Sequence, residues 1–498
     1  MQGFRFEGHS LEFLLLSTSF LLVFSVLTNR ISSALGVPSL LLFLGIGMLA
    51  GVEGPGGIDF TNYSLSFAVG SVCLTFIIFD GGMRTSWNNV RPILPVGLSL
   101  SVLATLITAV ATAVFANVVL GRSWVEALLL GAIVSSTDAA AVFSILRARS
   151  LSLKGRLKDT LEFEAGSNDP MAIFLTVGVL AYATGQATDV FSFVSLFGMQ
   201  WGLGLALGWI GGHAFRWLIN HAGIEYEGLY SVLLLGLVIF LFAGTSALGG
   251  SGFLAVYIAG LFLGNSELLH KGSVKRFHDG VAWLAQILVF LTLGLLSTPS
   301  HLLPVWKEGI LLSSFMMFVA RPLSVFLATP GSSTLERKDR LFVSWVGLRG
   351  VAPIILATLP WSVGFPNSEY LFNLVFFVVL LSVIVQGITI PWVAVKLGRI
   401  VPLREEPAHD HLAGMLLPEG FVTIEMEVGN SAAAKGTRVV DLALPSGVLL
   451  TSLERGGRYL IPKGDTAFTP GDRVWALARP SNIDVLRKLF GKAEPVSA

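Results

Sequence analysis

The sequence predicts an all-α polytopic membrane domain of about thirteen helices arranged as inverted repeats, followed by a small α+β cytoplasmic domain of order βαβββα. Three observations predict it. Hydrophobic residues make up 53% of the 498-residue chain and charged residues only 13%, with a mean hydropathy of +0.74. That balance belongs to a polytopic membrane protein and excludes an ordinary soluble enzyme. The charges are also unevenly spread: residues 402–498 hold 23 of the 65 acidic and basic side chains. Finally, the apolar runs are interrupted at few places, and two of those interruptions fall at matching positions of two halves.

Taken in order, apolar runs predict spans near 11–28, 38–51, 64–80, 93–119, 125–146, 159–183, 190–217, 228–247, 251–265, 278–297, 304–328, 341–360 and 369–395. The first run lacks a basic leader and is expected to be a span, not a cleaved signal. With the C-terminal domain in the cytoplasm, an odd number of spans puts the N-terminus outside. The inner ends and loops then carry 17 Lys and Arg residues and the outer ones 3, as the positive-inside rule requires. The lone cysteine, Cys73, excludes an intrachain disulfide and a cysteine-rich metal site. The eight histidines have no metal-ligand spacing. No P-loop, nucleophile elbow or zinc motif is present. No cofactor and no nucleic-acid partner are expected; the protein is expected in the cell (inner) membrane.

Two stretches put acids inside runs otherwise fit for a bilayer core: Val134-Ser135-Ser136-Thr137-Asp138-Ala139 and Glu162-Phe163-Glu164-Ala165-Gly166-Ser167-Asn168-Asp169-Pro170. Ionised carboxylates are costly in hydrocarbon and mark ion or proton paths there, although a structural polar cluster is the bland alternative. Pro170 is expected to interrupt its helix. At 1.5 Å per residue, Asp138 and Asp169 lie about 20 Å and about 15 Å deep from opposite faces, both near the middle of a core about 30 Å thick. A buried carboxylate holds either a proton or a bound cation. Asp169, Asp138, Thr137 and Ser167 can supply the oxygen ligands that hard monovalent cations want. Asn168 orients its neighbours without titrating.

Two arginines also lie within spans. Arg349 sits in Gly347-Leu348-Arg349-Gly350-Val351-Ala352-Pro353, a natural place for a helix to unwind toward protein or water. If spans 1–6 and 8–13 are inverted repeats, this break matches the Ser-Ser-Thr-Asp run of span five, the pattern of a transporter site near the midplane. A guanidinium needs a permanent counter-ion. Glu164 is the expected partner of Arg349, with Glu162 second. Arg321 is expected to be a supporting charge or a snorkelling side chain. Asp80, at the inner end of span three, reads as an interface or funnel residue.

These residues resemble the NhaP-type monovalent cation:proton antiporters, in their cell-volume-regulation-like potassium/proton branch. The motifs are Thr137-Asp138, Glu164 with Asn168-Asp169, and Gly347-Leu348-Arg349-Gly350, and the likeness covers about residues 10–400. The resemblance implies an elevator-type homodimer and electroneutral exchange, with Asp169 as shared carrier, Asp138 and Thr137 as ligands, and a structural Glu164–Arg349 pair. Ala139 and Ala165 depart from the proline and serine often found there.

Residues 401–418 read as a linker carrying Glu405, Glu406, His409, Asp410 and His411. Beyond it, in a domain spanning 419–498, alternation predicts strands over Phe421–Val428, Val448–Glu454, Arg458–Ile461 and Arg473–Ala478. A short helix follows Thr437 through Leu442, and Ser481 caps a last helix to about Phe490. This order resembles the RCK/TrkA-C type C-terminal subdomain, which implies a dimeric sensor of a small, nucleotide-like ligand on residues 419–491. The first functional expectation is therefore a potassium or sodium:proton antiporter, potassium being favoured by association with such tails. A gated potassium channel would need a carbonyl selectivity filter that the sequence lacks. An intramembrane aspartyl hydrolase using Asp138 and Asp169 is the third class.

Overall fold

Helices occupy each apolar run, and their ends fall where polar caps or glycines replace apolar residues. In the computed structural model the described residues are 5–495 except 7–8, 36–38, 61, 150, 186–188, 332–333, 403–420, 431 and 457. The chain divides into two units, Met1–Leu403 and Arg404–Ala498. In the first unit a strand pair, β1 (Arg5–Phe6) and β2 (His9–Ser10), precedes the helices α1 (Leu11–Leu35), α2 (Ser39–Ala50), α3 (Tyr63–Arg84) and α4 (Trp87–Val118). They continue as α5 (Trp124–Ile133), α6 (Ala139–Ala148), α7 (Leu157–Ala183), α8 (Val190–His221) and α9 (Glu227–Ala247). Then come α10 (Gly252–Gly264), α11 (Lys271–Leu296), α12 (Trp306–Ala328), α13 (Arg337–Trp345), α14 (Val351–Ser362) and α15 (Ser368–Leu397). Seven helices among the described residues are long and apolar enough to cross a membrane by themselves.

Three local features shape the site. The runs predicted as spans five and twelve are each split, α5 from α6 by residues 134–138 and α13 from α14 by residues 346–350. Two long helices contain a π-helical stretch, Ser99–Ala104 in α4 and Met316–Ala320 in α12. In contrast, α7 runs unbroken through Pro170, against the expected interruption. Proline removes one N–H, so only the Gly166 carbonyl loses its usual donor, and neighbouring helices carry the rest.

Packing relies on small residues. A Cβ built on Gly47 of α2 would lie 2.8 Å from the Gly294 Cα of α11, and one on Gly82 of α3 would lie 2.6 Å from the Tyr257 carbonyl of α10. Such close backbone approach is how helices associate in lipid, where apolar surface supplies no drive. At one end, Arg122 pairs with Glu308 at 3.0 Å and stacks over the Tyr370 ring, while Asn367 donates to Glu126 at 2.7 Å. At the other end β3 (Leu151–Leu153) pairs antiparallel with β4 (Ile400–Pro402), and Arg399 reaches Asp339 at 3.0 Å and Glu336. The first two residues of the expected linker thus belong to a strand of the first unit. Residues 403–418, with His409 and His411, lie outside the described residues.

The second unit is an antiparallel sheet of order β7-β6-β8-β5-β9, with β5 (Val422–Val428), β6 (Leu449–Arg455), β7 (Arg458–Leu460), β8 (Arg473–Ala478) and β9 (Gly491–Pro495). A helix, α16 (Ile483–Phe490), buries Leu486 and Phe490 against Ile424, Val474 and Ala476. The expected helix after Thr437 is only a 3-10 turn, Val439–Asp441. Gly436 and Gly447 take positive φ, and the backbone pairs with residues 464–468 instead. Strand β9 was not expected; Gly491, at φ +99°, returns the chain beside β5. Asp472 accepts from Arg455 at 2.9 and 2.7 Å and from the Thr469 N–H at 2.7 Å. Burial raises its carboxyl, but the Arg455 and Thr469 donors outweigh burial and hold it below the usual carboxylate range.

The glycine contacts give a matched test on one helix. Gly47→Ala should lower thermal stability by the equivalent of about 1–3 kcal/mol, because the helices must part. Gly45→Ala, which meets nothing within 4 Å, should leave the melting temperature unchanged or slightly raised. Equal melting curves for the two variants would contradict the packing.

Candidate functional site

The site is built where the two split helices cross. Backbone left unpaired by a break is expensive in a bilayer and must be satisfied within the protein. The Asp138 N–H donates to the Leu348 carbonyl at 2.8 Å, so each break partners the other. The Arg349 guanidinium donates to the Ser135 carbonyl at 2.7 Å and to that of Ser136. These carbonyls lie just past the C-terminal end of α5, where a cation is favoured. Asp138 caps α6, accepting from the Ala141 N–H at 3.3 Å. Its carboxylate also fills the space where Gly350, at the start of α14, would carry a Cβ. The acid thus faces two helix N-termini and the arginine a C-terminus, each opposite the complementary end of the peptide dipole.

Helix α7 completes the site. Asn168, fully buried, donates from Nδ2 to the Thr137 hydroxyl at 2.7 Å. Asp169 has the Asp138 carboxylate and the Ser136 hydroxyl as polar neighbours. Buried Asn168 Oδ1 and Ser136 Oγ have no aligned hydrogen-bond partner among the described residues. Two carboxylates and the Ser136 hydroxyl therefore lie together, with Asn168 bound to the adjoining Thr137. Ser167 does not join them: its hydroxyl lies beside that of Tyr257 on α10, two residues and about 200° around the helix from Asp169.

One face of α7 is less buried than the others as far as Asp169. Lys158 is exposed, and Glu162, Ala165, Gly166 and Asp169 are half-buried along one face of α7. Residues 170–176 are all buried. The exposed stripe starts where α7 starts and ends at Asp169.

The expected Glu164–Arg349 pair does not form. Glu164 instead meets Arg321, N to O 2.6 Å, with both side chains at least 98% buried. The reason lies in the breaks and bulges. Arg349 leaves an unwound stretch and is taken up by the carbonyls of the opposite break. Arg321 directly follows the π-helical stretch of α12, and the Ser101 hydroxyl, in the π-helical stretch of α4, donates to the Glu164 carbonyl at 3.3 Å. Both bulges converge on this pair. Glu162 lies 3.8 Å from Lys158 toward the exposed end of α7. Asp80 pairs with Arg84 at 2.6 Å, away from the crossing and at the end of α3.

Comparison with known proteins agrees with this architecture. The family model described as "Sodium/hydrogen exchanger, transmembrane" matches residues 19–396. The chain belongs to that family. A TrkA-C domain model matches residues 423–491 of this exchanger-family protein. A relative named K(+)/H(+) antiporter NhaP2, from Shewanella sp. (strain ANA-3), is 41% identical over 98% of this chain and 85% of its own length. K(+)/H(+) antiporter NhaP of Alkalimonas amylolytica is 38% identical over 98% of this chain and 84% of its own. The NhaP-type resemblance and the TrkA-C tail read from the sequence are thus borne out. The solved sodium proton antiporter MjNhaP1 of Methanocaldococcus jannaschii superposes with a TM-score of 0.67 at 24% identity, over 77% of this chain and 99% of that one, a likeness of fold.

Sequence reasoning missed Ser136 as a neighbour of Asp169, and gave Arg321 only a supporting role. A π-bulge adds a residue to a turn and re-aims the side chains beyond it, and no residue type marks it. The Arg321-Pro322 step beside an uninterrupted apolar run was the one available signal.

A double-mutant comparison tests the revised pairing. Glu164→Gln or Arg321→Gln alone leaves a buried charge without its partner and should cost about 3–5 kcal/mol in stability. The double variant should recover part of that loss. Glu164→Gln with Arg349→Gln should recover less, and the opposite ranking in thermal melts would restore the Arg349 pairing.

Proposed function

We propose that the protein is a secondary active antiporter that exchanges potassium, or sodium, for protons across the cell (inner) membrane. The observation that carries this reading is the charge count at the crossing. Asp138, Glu164 and Asp169 bring three carboxylates, and Arg321 and Arg349 bring two guanidiniums. The arginines do not titrate, so the cluster holds one net negative charge when every acid is ionised. One proton or one monovalent cation neutralises it. The loaded forms are equally neutral whichever ligand is bound, and the empty form carries a charge that resists burial. Exchange is then obligatory and electroneutral.

In this mechanism Asp169 takes the cation or the proton. Asp138, the Ser136 hydroxyl and the Asn168 amide oxygen complete the oxygen set, and Asn168 fixes Thr137. Ser167 falls outside that set. The Glu164–Arg321 pair ties α7 to α12. The half-buried stripe on α7 is the access route in an inward-facing form. Occlusion and reopening to the other side occur by an elevator movement in a homodimer.

The wider organisation in this reading is a membrane domain over residues 1–400, extended to 402 by β4, a linker over the rest of 401–418 and a regulatory domain over 419–498. The membrane domain has thirteen spans, with the N-terminus outside and the C-terminal domain cytoplasmic. Inverted repeats are supported by paired features: the two breaks, the two π-helical stretches, and the glycine contacts of α2 with α11 and of α3 with α10, which exchange under the repeat. Potassium is favoured because the relatives matched over nearly the whole chain carry that ion in their names; a more distant one is named a probable Na(+)/H(+) antiporter. The tail biases the antiporter between states through a small ligand or pH, which requires different affinity for the two states.

Vesicles containing the protein should acidify or alkalinise when a potassium or sodium gradient is imposed, with no sustained current under voltage. Asp169→Asn should abolish that exchange in a folded protein. Undiminished exchange in this variant would remove Asp169 as carrier, and a current that follows voltage would remove electroneutrality. For the tail, deletion of residues 408–498 should preserve cation selectivity and shift the pH or ligand dependence. An unchanged dependence would leave the tail without a regulatory role.

A further inference from the structure

The break between α13 and α14 has a second support, from α15. Trp345 ends α13, and its carbonyl has no helical donor. The Gln386 side chain of α15 supplies one, with Nε2 to the Trp345 carbonyl at 2.8 Å. Four residues earlier, the Ser382 hydroxyl accepts from the Arg349 N–H at 3.1 Å and donates to Gln386 Oε1 at 2.6 Å. Three residues later, the Thr389 hydroxyl accepts from the Trp345 indole N–H at 3.1 Å. Ser382, Gln386 and Thr389 are spaced as one helix face. Ser382 and Gln386 are at least 97% buried.

The bonds have one consistent direction. The Arg349 N–H commits a lone pair of Ser382, whose proton then goes to Gln386 Oε1. That orients the amide so that its N–H₂ meets the Trp345 carbonyl. The relay spans the break from its first carbonyl to the N–H of Arg349. Between these points lies Leu348, whose carbonyl holds the Asp138 N–H. Arg349 also carries the side chain that holds the carbonyls of Ser135 and Ser136. What fixes residues 345–349 therefore fixes the backbone of Asp138.

We propose that Ser382 and Gln386 are positioning residues of the cation site, holding the break of α13 and α14 in the register that aims Asp138 at Asp169. This inference rests on the antiporter reading for its transport consequence but not for its geometry. It makes α15 part of the unit that carries the site.

The test uses the full-length protein in vesicles and two readouts. The first is hydrogen exchange of the backbone over residues 345–350. Ser382→Ala and Gln386→Leu should speed it, and Ser382→Thr, which keeps the hydroxyl, should not. The second is cation-driven proton exchange. Ser382→Ala and Gln386→Leu should raise the apparent KM for the cation roughly tenfold, as loss of a buried hydrogen bond does, with a smaller change in maximal rate. Gln386→Glu adds a pH signature: the neutral acid can accept from Ser382 and donate to Trp345, whereas the carboxylate has no donor. Its exchange should approach that of the unaltered protein at acid pH and fall as the introduced acid ionises. If Ser382→Ala and Gln386→Leu leave hydrogen exchange unchanged, the relay does not hold the break and the proposal is overturned. Faster hydrogen exchange with unaltered KM and pH profile would overturn it as well, by separating the break from the site. If the unaltered protein exchanges no cation for protons, the antiporter reading fails, and hydrogen exchange alone decides the relay.

Discussion

The constraint on which the rest of this structure depends is that backbone exposed by a broken helix cannot be left unpaired in a bilayer. Two breaks meet, and each meets part of the other's need: the Asp138 N–H goes to the Leu348 carbonyl, and the Arg349 side chain goes to carbonyls of residues 135 and 136. A single interrupted helix in this position would need water or lipid headgroups. The crossing puts irregular backbone in the middle of the membrane domain while most of its polar groups face protein. The Asp138 carboxylate is held by the same backbone that the crossing satisfies.

Charge is set by that geometry. Split helices bring their dipole ends inside the bundle, and the ends meet groups of opposite sign. Asp138 stands before two N-termini and Arg349 beyond a C-terminus. Glu164 and Arg321 neutralise each other five residues before Asp169 on α7, while Arg349 is taken up by backbone carbonyls. The polar neighbours of Asp169 are a second carboxylate and a hydroxyl.

Much of this was legible in the sequence because breaks and acids inside apolar runs are conspicuous. Gly347, Gly350 and the Ser135–Asp138 run marked both splits, and the spacing from Asp138 to Asp169 marked the site. The partner of Glu164 was not legible. Depth along a helix says which groups share a level. It does not say which way a side chain leaves an unwound stretch, nor that a π-bulge turns Arg321 inward. Pro170 misled for the opposite reason: it is a helix breaker by type, but within a packed helix it costs one hydrogen bond. In the second unit, Gly436 and Gly447 carried the information that defeats a helix after Thr437, while β9 depends on a turn at Gly491 that pattern alone does not reveal.

The small pairing of β3 with β4 has a mechanical meaning. The end of the first unit has two anchors, a three-residue strand pair to the segment after α6 and the grip of Arg399 on Glu336 and Asp339 at the start of α13. A force applied to β4 would not be delivered to the long helix α15 alone. It is shared with the segment behind α6 and with the start of α13, the two half-helices whose far ends form the crossing. A pull too weak to unfold any helix would still bear on both halves of the break at once, so the attachment acts as a yoke and not as a leash.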